Sequence, residues 1–277
     1  MLESRPPFAP LRLLGLALAV VQRTVTLPAA LLHALADVRL QPELSRLELS
    51  QIELREHSVM DALADAVVAR QRLRHLSINS CALVPAAAAP ALARMLCDGA
   101  LTSLEFFEST AFEDATAIRV LRDALRANSA LTSLSLRGVH DPAAPMVRAV
   151  LGAVVGHRSL SKLDLGFTFL DQDPAVGTAL AALLIADAPA LTELHLVSCR
   201  LGEAGLGPLC DALQCNRHLS MLDIRGNELP AGFMRARLLP AVRANTGLLT
   251  LVATGETKNI DDDVAAAREA QRIVAAR

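Results

Sequence analysis

A Leu-x-x-Leu-x-Leu pattern, its last position taken in some copies by another apolar residue, recurs through the chain from Leu44, Leu73, Leu101, Leu131, Leu160, Leu191, Leu219 and Leu248. Successive starts lie 29, 28, 30, 29, 31, 28 and 29 residues apart. Spacings confined to so narrow a range leave one kind of architecture open. Each period is a supersecondary unit too small to bury its own apolar face, so neighbouring units must stack and share a continuous core.

The two halves of a period differ in rhythm. The fourth and sixth positions are apolar with a polar residue between them, which is the period of a strand. The second half switches to helical spacing, as at Ala88, Leu92, Leu96, at Ile118, Leu121, Leu125 and at Leu206, Leu209, Leu213. Asp141-Pro142 and Asp173-Pro174 place a capping carboxylate before a first-turn proline. Asn128, Asn216 and Asn245 each stand three residues before the next start, where a left-handed residue is expected to end the helix. The expected class is α/β: a solenoid, or horseshoe, with parallel strands on the concave face and helices on the convex face. Curvature follows because strands stack about 4.8 Å apart while helices need about 10 Å. Eight rungs make a strand face roughly 38 Å long at that spacing.

A longer pattern, Leu-x-x-Leu-x-Leu-x-x-Asn/Cys-x-Leu, is met at Leu191, Leu194, Leu196, Cys199, Leu201. It is met again at Leu219, Leu222, Ile224, Asn227, Leu229 and at Leu73, Leu76, Ile78, Cys81, Leu83. These residues resemble the leucine-rich-repeat family, in particular its ribonuclease-inhibitor-like subclass, and residues 201–216 resemble one repeat of that subclass closely. The resemblance covers Leu44 to Thr254. It implies a curved protein-binding solenoid with no catalytic role, and a buried structural place for Cys81 and Cys199. Ribonuclease inhibition does not follow, since the contact residues of that inhibitor have no match here. Isoleucine or valine at the ninth position (Ile52, Val139) and Asp141 at the eleventh depart from the pattern, so the loop around residues 138–142 is expected to be irregular.

End repeats of a stack expose their cores and need covers. Residues 1–43 are expected to form a helical N-terminal cap, with Pro28 opening a helix that carries Leu31, Leu32, Leu35 and Val38. Repeats fill residues 44–259, and residues 260–277, which open on three aspartates, are expected to form a C-terminal helical cap. The apolar run Leu13 to Val21 imitates a signal-peptide core but is shorter than the roughly 20 residues that span a bilayer, so no stable membrane insertion is expected. A cap is the preferred reading over a targeting segment, because the small-residue candidates for cleavage are badly placed.

The formal net charge of -2 gives no concentrated positive surface, and nucleic acid is not an expected partner. Five cysteines form neither a disulfide framework nor a zinc spacing, and a reduced, buried role in the cytoplasm fits them. No GxSxG, HExxH, phosphate-loop or dinucleotide motif occurs, so neither an enzyme nor a cofactor is expected.

With the fourth and sixth positions turned inward, the third, fifth and seventh face the concave side. The fifth position reads Glu48, Ser77, Glu105, Ser135, Asp164, His195, Asp223, Val252, an acidic stripe flanked by Arg46, His75, Lys162, Arg137 and Arg225. Charges in parallel stripes steer a partner and fix its register. Phe107, Phe167 and Phe169 fall at outward or loop positions near Arg137, His140 and Arg200, where an aromatic and arginine cluster would suit an interface. Inward rotation of Phe167 and Phe169 is the alternative. His195, between Asp164 and Asp223, is expected to have its charged form favoured, as a pH-sensitive contact, part of a metal site or a plain surface ion ladder. The protein-binding set is therefore Glu105, Phe107, Arg137, Lys162, Asp164, Phe167, His195, Asp223 and Arg225. Bacterial effectors that act on host proteins resemble the chain in architecture and composition. A second expectation is a substrate adaptor of a ubiquitin ligase, because Leu27 to Leu35 resembles the start of an F-box, though residues 27–44 are too few for that whole module.

Overall fold

The computed structural model describes residues 25–26, 43–108, 114–138, 143–186, 190–253 and 261–277. Its strands are β1 (Val25–Thr26), β2 (Arg46–Ser50), β3 (Ile52–Leu54), β4 (His75–Asn79), β5 (Ala82–Leu83), β6 (Ser103–Phe107), β7 (Ser133–Arg137), β8 (Lys162–Asp164), β9 (Glu193–His195), β10 (Met221–Asp223) and β11 (Thr250–Val252). Its helices are α1 (His57–Ala69), α2 (Pro85–Asp98), α3 (Ala115–Ala127), α4 (Ala143–Val154), α5 (Pro174–Ile185), α6 (Gly202–Leu213), α7 (Leu239–Ala244) and α8 (Asp261–Ala275); a π-helical turn over Met234–Leu238 leads into α7.

One parallel sheet runs β2, β4, β6, β7, β8, β9, β10, β11, in chain order. The fourth-position leucines Leu47, Leu76, Leu104, Leu134, Leu163, Leu194, Leu222 and Leu251 are Cα partners from rung to rung. All eight are buried. Helices of successive rungs pack side by side on the other layer, and the core lies between. This is the α/β solenoid expected from the spacing. Where α5 and α6 meet, a Cβ on Gly177 would fall 2.3 Å from the Ala204 carbonyl oxygen, so glycine there allows backbone contact between the two helices.

A second, three-stranded parallel sheet, β1-β3-β5, was not foreseen. It pairs Val25 with Ile52 and Thr26 with Glu53, then Glu53 with Ala82 and Leu54 with Leu83. Most of the expected N-terminal cap, with the F-box-like segment and the Pro28 helix, lies outside the described residues. Val25–Thr26 is a strand, consistent with two β-branched residues meeting the free edge of β3. The Asp141-Pro142 cap, Val139 and His140 also lie outside the described residues.

After each of the first seven main strands the chain turns at position eight through a left-handed residue. These are Gln51, Ser80, Glu108, Gly138, Phe167, Ser198 and Gly226, with φ between 48° and 71°. The turn keeps the ladder intact: the Ser80, Glu108 and Phe167 N–H groups donate to the Phe107, Arg137 and Val197 carbonyls of the next rung, at 2.7, 3.1 and 2.7 Å.

The asparagines before each start do not adopt the expected left-handed conformation. Asn128 and Asn245 are extended, at φ -72°, ψ 138° and φ -71°, ψ 145°. Their side chains tie the rungs together. Asn216 Oδ1 accepts from the His218 and Leu219 N–H groups at 3.2 and 2.8 Å, while its Nδ2 donates to the Leu184 carbonyl at 3.0 Å. Asn128 and Asn245 repeat the arrangement, donating to Leu96 at 2.5 Å and Leu213 at 2.7 Å. In the fifth rung His157 accepts from the Leu160 N–H at 3.2 Å. At the end of the chain Arg277 takes the donor part, to Val242 O at 2.6 Å and to Asn245 O.

A second ladder runs at position nine, where each donor reaches the sixth-position carbonyl of the preceding rung. Cys81 Sγ donates to Leu49 at 3.6 Å, Thr168 Oγ1 to Leu136 at 3.0 Å, Cys199 Sγ to Leu165 at 3.1 Å and Asn227 Nδ2 to Leu196 at 2.6 Å. Cys81, Cys199 and Cys210 are buried as expected, but Cys97 and Cys215 are exposed, and all five are free. Burial pushes the Cys199 and Cys210 thiols up to about 12, which removes them as nucleophiles near neutral pH.

Helix α8 packs against the last rung through Ala266, Ala267, Ala270 and Val274. Asp263 does more than complement the helix dipole: it is buried, and its Oδ2 accepts from the Gly232 N–H at 2.5 Å.

Candidate functional site

In a strand, residues two apart share a face, so the in-register stacking of fourth positions also stacks the third, fifth and seventh positions opposite them. The fifth-position file is continuous from Glu48 through Ser77, Glu105, Ser135, Asp164, His195 and Asp223 to Val252. Its charges are not an open acidic stripe. Asp223 is only 3% exposed and holds Arg225 with both oxygens, Oδ1 accepting from Nε at 3.0 Å and Oδ2 from Nη2 at 2.7 Å. The bidentate bond raises the Arg225 guanidinium further above its ordinary range. Asp164 Oδ1 accepts from the Gly166 N–H at 2.9 Å, and Oδ2 lies 3.7 Å from Arg137 Nε. Arg46 Nε donates to Glu48 at 2.5 Å. The face is a mosaic of paired charges in which Asp223 chiefly holds an arginine in place.

His195 sits in register between Asp164 and Asp223, but its carboxylate partner is Glu193, with Nε2 to Oε2 at 3.5 Å. The two aspartates are occupied by Arg225, Gly166 and Arg137, whereas Glu193, two residues back on β9, shares the histidine's face. Lys162 Nζ lies 3.7 Å from the same Glu193 carboxylate. Glu193 is a member of the face that the fifth-position reading overlooked, although its i, i+2 spacing to His195 marks it. At the other end His75 Nε2 lies 3.6 Å from Glu105 Oε2. Burial holds the His75 imidazolium below its ordinary range, Arg46 pushes the same way, and Glu105 and Glu48 oppose them. Among the described residues no group of three or more His, Cys, Asp and Glu is arranged to hold a metal ion. Among them, too, no helix is long and apolar enough to cross a membrane.

The aromatic and arginine cluster divides in two. The Arg137 guanidinium carbon stands 5.9 Å from the Phe107 ring centroid and 5.1 Å from that of Phe167, so one arginine from the fourth rung is shared by rings of the third and fifth. Arg200 stacks on Phe169 at 4.0 Å, with Asp171 at 3.6 Å and Glu228 at 3.8 Å. Phe167 turns outward, 41% exposed, at a left-handed φ of 60°. Position eight carries Gln, Ser, Glu or Gly on the other rungs; a bulky residue there costs roughly 1–2 kcal/mol in backbone strain. Gly166 makes room for the group: a Cβ there would lie 3.2 Å from Asp164 Oδ1 and 3.6 Å from Arg137 Nε. The sequence alone does not mark Gly166, because its value depends on where Arg137 lies.

No protein-family model matches the chain, and no curated protein matches its sequence. Solved structures that it resembles include actin-binding site 2 of leiomodin-1, with TM-score 0.47 and 17% identity over 55% of this chain and 86% of that one. Another is the C-terminal domain of tropomodulin from Caenorhabditis elegans, with TM-score 0.46 and 14% identity over 57% and 92%. A third is the leucine-rich-repeat-containing protein LegL7 of Legionella pneumophila, with TM-score 0.46 and 15% identity over 80% of each chain. By the register of its strands and the ladder of its ninth-position side chains, the chain has the fold of a leucine-rich-repeat solenoid.

Proposed function

We propose that the chain is a non-catalytic scaffold that binds another protein on its strand face. The observation that carries this reading is the unbroken register of eight strands, which lines up outward side chains as a single surface. At about 4.8 Å per rung and about 17 Å per five-residue strand, the face offers on the order of 600 Å² before side-chain relief is counted. One partner contributes about 800 Å² to an interface of standard size, so the scale suits a protein better than a small molecule. The contact groups in this reading are Glu105, Phe107, Arg137, Lys162, Phe167, His195 and Arg225, with Asp164 and Asp223 positioning the arginines. Five free cysteines support action in a reducing compartment such as the cytoplasm.

A photo-crosslinking residue placed at Glu105 or at Lys162 in living cells tests the reading. It is expected to yield a discrete protein adduct that the same residue placed at Arg119, exposed on α3, does not yield. Equal adducts from both faces, or adducts from Arg119 alone, would contradict it.

A further inference from the structure

We infer that Phe107, Arg137 and Phe167 form a carboxylate-binding clamp, and that the partner segment it takes carries an acidic side chain beside an apolar one. This deepens the proposed function and rests on it.

Three arginines stand on the described strand face, and two donate to a carboxylate two residues away on the chain. Arg46 donates to Glu48 through Nε at 2.5 Å, and Arg225 is held bidentately by Asp223. Arg137 differs. Among the described residues its Nε is enclosed and makes no hydrogen bond, its one carboxylate neighbour is Asp164 at 3.7 Å, and its terminal nitrogens donate to none. The fork nonetheless stands near two rings, 5.9 Å from the Phe107 centroid and 5.1 Å from that of Phe167. Rings beside a guanidinium shield part of its surface and leave its edge as the donor surface, which matches the two oxygens of a carboxylate. Asp164 is turned toward Nε, and its Oδ1 is committed to the Gly166 N–H, so the terminal edge is the side left for a ligand.

The second observation is independent of charge. Phe167 is the one aromatic residue among the left-handed position-eight residues of the first seven rungs, and it remains 41% exposed. A strained, exposed side chain is a feature that stability alone does not keep. Beside the Arg137 edge it offers an apolar surface to the residue flanking an incoming carboxylate. Gly166 completes the device, because a Cβ there would crowd the Asp164 carboxylate that faces Arg137, at 3.2 Å from Oδ1.

The probe is a set of immobilised peptides that alternate Glu with Leu, matched by a Gln/Leu set and a Lys/Leu set. The folded full chain is expected to bind the Glu/Leu set at least about tenfold more tightly than either control. R137Q should remove that preference, and R137K should keep only a fraction of it, since a point charge cannot replace a planar fork. F167N is the control for a merely structural role: binding should fall about tenfold while the thermal midpoint holds or rises. Equal binding of the Glu and Gln sets, or full binding by R137Q, would overturn the clamp. A fall in both binding and midpoint for F167N would assign Phe167 to packing and overturn its part in the clamp. The same R137Q change made in the crosslinking experiment separates the two ideas. An adduct from Glu105 that survives it removes the clamp and leaves the binding face, whereas the absence of any strand-face adduct removes the face itself.

Discussion

Asn227→Ala is expected to destabilise the protein by about 3–4 kcal/mol in urea titration, among the largest effects of any single polar truncation in the chain. The side chain is 2% exposed and works on two rungs at once. Its Oδ1 accepts from the Cys199 and Leu201 N–H groups at 3.1 and 3.2 Å; its Nδ2 donates to the Leu196 and Ile224 carbonyls at 2.6 and 2.9 Å. Alanine leaves buried donors in the sixth rung with no acceptor, and each costs roughly 1–3 kcal/mol. Stability in a solenoid is a sum over rungs and their interfaces, so the loss should be local. Amide exchange should quicken first at Cys199 and Leu201. A loss below about 1 kcal/mol would mean that the position-nine ladder is not what joins these rungs.

Phe106→Ala is expected to cost about 3–5 kcal/mol, while Phe107→Ala, one residue along the same strand, should cost about 1 kcal/mol or less. Phe106 occupies the sixth position of the third rung, 1% exposed, between its Cα partners Ile78 and Leu136. Truncation opens a cavity between three rungs that cannot collapse without shifting the strands. Phe107 points to the other face, half-buried beside Arg137, and its truncation opens no cavity between rungs. Phe106→Leu should lose less than about 1.5 kcal/mol, because most other rungs already carry leucine or isoleucine there. Similar losses for both alanine variants would show the strand to be out of the register described.

What could be read from the sequence and what could not divide along a physical line. The leucine spacing carried the fold because burial acts on every rung alike, and a signal repeated eight times survives local exceptions. It placed the fifth-position file residue by residue, and the Asp173-Pro174 pair marked a helix cap, where Oδ1 accepts from the Ala175 N–H at 2.8 Å. The role of the asparagines was misjudged for a definite reason. Asparagine is suited both to a left-handed backbone and to side-chain bonding across rungs, and only the neighbouring Leu184 and Leu213 carbonyls decide between them. The acidic stripe failed in the same way. Asp223 reads as an outward charge, yet Arg225, two residues on, folds over it and buries it. The small second sheet left no trace because it joins residues 25–26 to residues 52–54 and 82–83, two dipeptides and a tripeptide too short to show a period. Side-chain pairing depends on rotamers and neighbours that no one-dimensional rhythm encodes.

Spin labels at positions 48 and 252, the two ends of the fifth-position file, measure the stacking itself. Seven steps of about 4.8 Å give roughly 34 Å for a straight stack, and bending toward the strand side shortens this. One narrow distance distribution near 30 Å, unchanged by dilution, is the predicted result. A broad distribution, or one centred beyond about 45 Å, would mean that the rungs do not form one continuous platform.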